Sequence, residues 1–222
     1  MPIDLKPMLD PLLANWYLLL PLIFIGILFK ILKSPIFKGW FGEKMINRGL
    51  RKLDPTQYQL FHDLYLPHPT ETGTTQIDHV VVSPFGIFVI ETKNYRGWIF
   101  GNAKQREWTQ QIYRKKNRFQ NPLHQNKLHV KALMQFLDLP EDHFLPVVIF
   151  IGDTEFKTEM PENVLNRGLI DWIKKHAAIR LDTGMVEHVT SRLNQLDRNT
   201  NRTKAAREHL AALNERHRCD VG

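Results

Sequence analysis

Residues 76–94 read QIDHVVVSPFGIFVIETKN, and this stretch decides the fold. Residues 77–82 and 87–92 are rich in Val, Ile and Phe, the composition of strands. Ser83-Pro84-Phe85-Gly86 between them reads as a turn, with Pro presetting φ and Gly relieving the last position. A four-residue loop sets Val82 opposite Ile87, Val80 opposite Val89 and Asp78 opposite Glu91. Alternation then puts Lys93 on the face of Glu91. Carboxylates directly opposed on a sheet have Cβ atoms roughly 5 Å apart and repel each other, so the pair makes sense with a cation between them. Oxygen ligands suit Mg²⁺ or Mn²⁺ rather than zinc. Lys93 is then placed to orient or help deprotonate a water, or to neutralise charge on a phosphate. The same residues also fit an edge ion pair of Lys93 with Glu91, with Asp78 exposed in a loop. Glu-x-Lys alone does not decide between the two.

The chain has 222 residues and suits one α/β domain with extensions. Its single cysteine, Cys219, permits no internal disulfide and fits a reducing compartment. The net charge of +7 is concentrated in one window. Between positions 93 and 131 stand Lys93, Arg96, Lys104, Arg106, Arg114, Lys115, Lys116, Arg118, Lys127 and Lys131 against one acid, Glu107, a local balance of +9. Tyr95, Trp98, Phe100, Trp108, Tyr113 and Phe119 are interleaved with these charges. Bases and aromatics in one stretch suit a phosphate backbone and exposed nucleobases. Arg96, Lys104, Arg106, Arg114, Lys115, Lys116 and Arg118 are accordingly the candidate nucleic-acid contacts. Most charge runs, however, are solvated faces over core aromatics.

Residues 12–29, LLANWYLLLPLIFIGILF, carry no charge over 18 positions, near the lower limit for a spanning helix. Asp4 and Asp10 speak against a signal peptide. Lys6 alone precedes the run, whereas Lys30, Lys33, Lys38, Lys44 and Arg48 follow it. The positive-inside rule then predicts a single-pass anchor over about 12–30, with the N-terminus outside and the rest cytoplasmic. The expected partners are therefore nucleic acid and a lipid bilayer. Beyond it the pattern predicts a helix over 39–53 that carries Glu43, a strand over 58–66, the hairpin, and short strands over 97–101 and 107–113. Residues 115–120 read as a polar connection. A helix capped by Asn121-Pro122 runs to about 137 and sets Gln125 and His129 one turn apart. The apolar residues 146–152 read as a buried strand, and three further helices follow.

The helix–strand–hairpin–strand–helix–strand order, with an acidic pair and Glu-x-Lys on the hairpin, resembles the PD-(D/E)xK nucleases. More specifically, residues 76–82, 86–94 and 121–126 (NPLHQN) resemble the nuclease-related domain family. The resemblance implies a restriction-endonuclease-like α/β fold, a central mixed sheet flanked by helices, and the apolar run places one N-terminal transmembrane helix before it. It also implies metal-dependent hydrolysis of phosphodiester bonds, of DNA rather than RNA. By motif, Asp78 and Glu91 would be metal ligands and Lys93 the catalytic lysine. Glu43 would be the first-helix acid and Gln125 the glutamine of the later helix, where His129 replaces the usual tyrosine. The division expected is an anchor over 1–33, a nuclease-related core over 39–152 and a helical extension over 153–222. A non-catalytic nucleic-acid-binding or scaffold module that keeps the fold is the alternative.

Overall fold

The computed structural model describes residues 20–33, 35–70 and 72–219. The chain divides into two units, residues 1–41 and 42–222. Helix α1 (Leu20–Lys33) lies in the first, with Ile23, Phe24 and Ile27 among its exposed apolar side chains. Its 14 described residues extend about 21 Å. No helix among the described residues is long and apolar enough to cross a membrane. The spanning helix expected over 12–30 is therefore not supported: its described part is too short, and positions 12–19 lie outside the described residues. Helix α2 (Pro35–Leu50) begins on a proline, whose fixed φ suits a first helical turn.

The second unit continues with β1 (Gln59–Pro67), β2 (Thr74–Ser83), β3 (Gly86–Asn94), β4 (Gly97–Phe100), β5 (Glu107–Ile112) and β6 (Lys115–Gln120). Helix α3 (Pro122–Leu137), β7 (Phe144–Ile151), β8 (Thr154–Phe156) and β9 (Val164–Leu165) follow. Helices α4 (Leu169–Lys175), α5 (Thr183–Asn199) and α6 (Arg202–Cys219) complete it. The strands form two mixed sheets, a large one in the order β1-β2-β3-β7-β9 and a small one in the order β6-β5-β4-β8. Helices flank them, as the hairpin and the capped helix predict.

The parallel pair β3/β7 links the sheets. β3 leaves the large sheet and passes through Gly97 at φ 82; β7 leaves through Gly152 at φ 97. A Cβ at Gly97 would lie 2.5 Å from the Gln111 carbonyl oxygen, and one at Gly152 would lie 2.4 Å from that of Tyr95. Only glycine turns the chain at these positions. The two chains then pair again, still parallel, as β4/β8, with Gly97 opposite Thr154. The end of β3, where Lys93 stands, is therefore a corner between two sheets.

Burial follows the same plan. On one face of the large sheet, Val80, Val82 and Val89 pack against Val130 and Leu133 of α3 and Val189 and Leu193 of α5. On the other, Val81, Phe88 and Ile90 pack against Ile46 and Leu50 of α2 and Ile173 of α4. The small sheet folds Ile99 and Trp108 onto Val148 and Phe150 of β7, with the Trp108 and Phe150 rings stacked 6.1 Å apart. Residues 115–120 are a correction to the sequence reading: they are the strand β6, paired with β5 along its whole length. Their charges suggest a loop, but β6 is an edge strand, where charged side chains stay in water and discourage further pairing.

Asn121 ties α3 to the small sheet. Its Oδ1 caps the helix by accepting from Leu123 N at 2.9 Å. Its Nδ2 donates to the carbonyls of Asn102, Ala103 and Gln105 in the β4–β5 loop, the shortest at 2.7 Å. Asn126, one turn on, donates to the Val89 and Val147 carbonyls. Asn121→Ala removes a cap and the three hydrogen bonds that tie the β4–β5 loop to the helix. It should cost roughly 2–4 kcal/mol in urea unfolding. A loss below about 0.5 kcal/mol, the size of an ordinary surface change, would show that helix and loop are held otherwise.

Candidate active site

The β2–β3 register follows the predicted rule, from Ser83 opposite Gly86, through Val82 opposite Ile87 and Val80 opposite Val89, to His79 opposite Ile90. There the ladder stops. On the other side of β2, pairing with β1 skips one position between His62–His79 and Leu64–Ile77, and Asp63 sits in the left-handed region at φ 54. The skip reverses the alternation of both strands: Phe61, Leu64 and Leu66 share one core cluster, as do Ile77, Val80 and Val82. Strict alternation would put Phe61 and Leu64 on opposite faces. Asp78 occupies this kink. Its ladder contact with β3 is replaced by its own side chain, whose Oδ2 accepts from Thr92 N at 2.8 Å.

Glu91 is buried, and both of its oxygens are engaged. Oε1 lies 2.6 Å from Lys93 Nζ, and Oε2 lies 3.0 Å from His129 Nε2. Lys93 Nζ also donates to Gln125 Oε1 at 2.8 Å. His129 Nδ1 meets the Thr75 hydroxyl at 2.9 Å. An ionised carboxylate only accepts, so Nε2 of His129 is the donor, and in the neutral ring Nδ1 accepts from Thr75. The i, i+4 spacing of Gln125 and His129 sets both on the face of α3 that meets the end of β3.

The charges sort these groups. Burial works to raise the Glu91 carboxyl, but Lys93 and His129 outweigh it and hold it below the ordinary carboxylate range. Burial works against the Lys93 ammonium, and the charge of Glu91 with its hydrogen bond more than restores it, so Lys93 stays protonated. Asp78 is pushed well up, first by burial and then by Glu91, against the opposing pull of its Thr92 bond and Lys93. Glu43 on α2 is raised to about 7 by burial, then by Asp63 and Glu91.

The expected Asp78–Glu91 ladder pair is absent, because pairing ends at His79–Ile90; a chain of bonds instead runs Gln125–Lys93–Glu91–His129–Thr75, and Asp78 adjoins it through charge. His129 stands where the resemblance predicts tyrosine, and its one-turn spacing from Gln125 was the signal for its role. Thr75 had no signal in the sequence. Glu43 feels the charge of Glu91 without an ion pair to the group. The seven basic candidates, Arg96, Lys104, Arg106, Arg114, Lys115, Lys116 and Arg118, are all exposed and lie on or beside the small sheet. Of their aromatic neighbours, Trp108 is fully buried, whereas Trp98 and Tyr113 are exposed.

The metal reading is met by two carboxylates only. Among the described residues no group of three or more His, Cys, Asp or Glu side chains is arranged to hold a metal ion. The donor chemistry fits nonetheless: Asp78 Oδ1 is uncommitted, and its carboxyl is raised first by burial and then by the negative charge of Glu91, which a cation would offset.

A fold of this order with this hairpin defines a class, the nuclease-related domains, and the comparisons agree. The chain belongs to the nuclease-related domain family, whose model matches residues 38–151. It is similar to an uncharacterized protein of Bacillus anthracis, 54% identical over 100 residues. That alignment covers 45% of this chain and 46% of the other, so the chain spans about half the length of the curated relative it matches. No solved structure matches.

Glu43 provides a test of the site's electrostatics. Below its ordinary value of 4.5 both folded and unfolded chains are protonated there, and the residue has no effect on stability. Between 4.5 and about 7 the folded chain keeps a proton that the unfolded chain releases, so stability falls as pH rises, and the full cost stands above 7. With chelator present, Glu43→Gln should be more stable than wild type at pH 8 by on the order of 1 kcal/mol, allowing for partial exposure. At pH 4 the two should melt alike. Equal melting at both pH values would place Glu43 in ordinary solvent.

Proposed function

We propose that this chain is a divalent-cation-dependent nuclease of restriction-endonuclease-like fold that hydrolyses phosphodiester bonds, those of DNA first. The observation that carries the reading is Lys93, held between Glu91 and Gln125 and within the electrostatic reach of Asp78. Asp78 through Oδ1, and Glu91 through its remaining lone pairs, would hold Mg²⁺ or Mn²⁺. When bound, such an ion supplies a Lewis acid for the phosphoryl oxygen and lowers the pKa of a bound water. Lys93 contributes positive charge at the scissile phosphate, not a base, because its partners keep it protonated. Gln125 orients that ammonium, and His129 holds Glu91 from the side away from Lys93. Glu43, near neutrality, is suited to carrying a proton at the pH of the cell. The apolar residues 12–29 with their basic flank support attachment to a bilayer, with the domain on the cytoplasmic side.

The full-length chain should cleave DNA with Mg²⁺ or Mn²⁺ and lose all activity with chelator. Asp78→Asn should abolish cleavage, and Lys93→Met should lower it about 10²–10³-fold, as loss of one transition-state charge does. Nucleic-acid binding without cleavage under either ion would replace this reading with a fold-retaining binding module.

A further inference from the structure

The outer face of the small sheet is not used by the chemistry above. Side chains alternate along its strands, so Ile99 and Trp108 go inward to the core while Trp98 and Phe100 go outward. Register sets Gln111 beside Trp98 and Thr109 beside Phe100, then Lys116 and Arg118 beyond them on β6. This face is hollowed. Two adjoining depressions of about 840 and 520 Å³ share Phe100, Thr109 and Arg118, so they form one groove across the strands. Trp98 lines neither depression but stands at the groove's edge, paired with Gln111; it is 44% exposed, with the Lys157 ammonium over its ring 4.7 Å from the centre.

From these features we infer that the groove binds an unpaired stretch of nucleic acid, its bases stacked on Trp98 and Phe100 and its phosphates met by Lys116 and Arg118. This rests on the nuclease reading for the class of substrate and adds which form is held and where. Trp98 and Phe100 are two residues apart on one strand, about 6.6 Å. Each therefore takes its own base only from a strand drawn out beyond the 3.4 Å spacing of stacked bases, which a duplex does not offer. The charges point the same way. Arg106, Lys116 and Arg118 line the groove with Glu107 and Glu159, and Glu107 stands 3.7 Å from Arg118. So mixed a lining attracts polyanions weakly, and stacking carries the binding. The corner at Gly97 connects groove to site: Trp98 is five positions on from Lys93, at most about 18 Å of extended chain. A strand lying in the groove thus has a phosphodiester bond within a few nucleotides of Lys93.

The test measures anisotropy of a labelled oligothymidylate of about 20 nucleotides, and of a labelled duplex of equal length, with the full-length chain in chelator so that nothing is cleaved. The oligothymidylate should bind more tightly than the duplex. Trp98→Leu should weaken the single strand about tenfold and leave the duplex nearly unchanged. Lys116→Gln with Arg118→Gln should lower the log–log salt slope on the single strand by about 1.4, or 0.7 per phosphate lost. These side chains are exposed, and circular dichroism checks that each variant folds. Preference for the duplex, wild-type affinity in Trp98→Leu, an unchanged slope or no binding at all overturns the inference. If binding behaves as stated but Mg²⁺ and Mn²⁺ bring no cleavage, the groove stands and the nuclease reading falls.

Discussion

A buried carboxylate is the constraint on which this structure rests. Glu91 sits in the middle of the sheet, where an unpaired charge would cost several kcal/mol, so it must be met on both oxygens. Lys93 comes from the same strand and meets one. The other requires a donor from outside the sheet, which is His129 on α3. The helix must therefore lie at one height and one rotation, and Asn121 and Asn126 fix both, one by capping and one by clipping two strand carbonyls. The same rotation delivers Gln125 to Lys93. What looks like a catalytic group is also the way the fold tolerates a charge in its core.

The second organising feature is the failure of regular pairing at Asp78. A continuous ladder would have tied its backbone to β3 and its side chain to one face. The kink shared with Asp63 frees the carboxylate to take the Thr92 N–H itself, with one oxygen left over. The two acids are thereby held close enough that Asp78 feels the charge of Glu91. The corner at Gly97 and Gly152 then carries the chain from this acidic centre to a separate sheet bearing exposed bases. The acidic centre and the exposed basic residues are placed by one bend in a pair of parallel strands.

Much of this was legible because it depends on local rules. The Pro-Phe turn fixed the hairpin register, Asn-Pro fixed the start of α3, and the apolar run of residues 146–152 identified β7 as a strand buried on both faces. The features that escaped depend on contacts distant in sequence. The kink at Asp63 and Asp78 comes from pairing between strands and leaves no pattern in either. Thr75 is a polar residue in a strand until α3 brings His129 to it. Residues 115–120 read as a loop because an edge strand and a loop share the same charged composition. The aromatics of the basic window could not be sorted by sequence: Trp108 and Trp98 differ only in which way the strand turns them.

The cation site proposed at the kink is tested most directly by calorimetric titration of Mn²⁺ into the chain near neutral pH. One site should fill in the wild type. It should disappear in Asp78→Asn, where the uncommitted oxygen loses its charge, and persist in Arg118→Gln, which lies on the other sheet. A wild type that takes up no Mn²⁺, or an Asp78→Asn variant that binds it as the wild type does, would contradict a cation between Asp78 and Glu91.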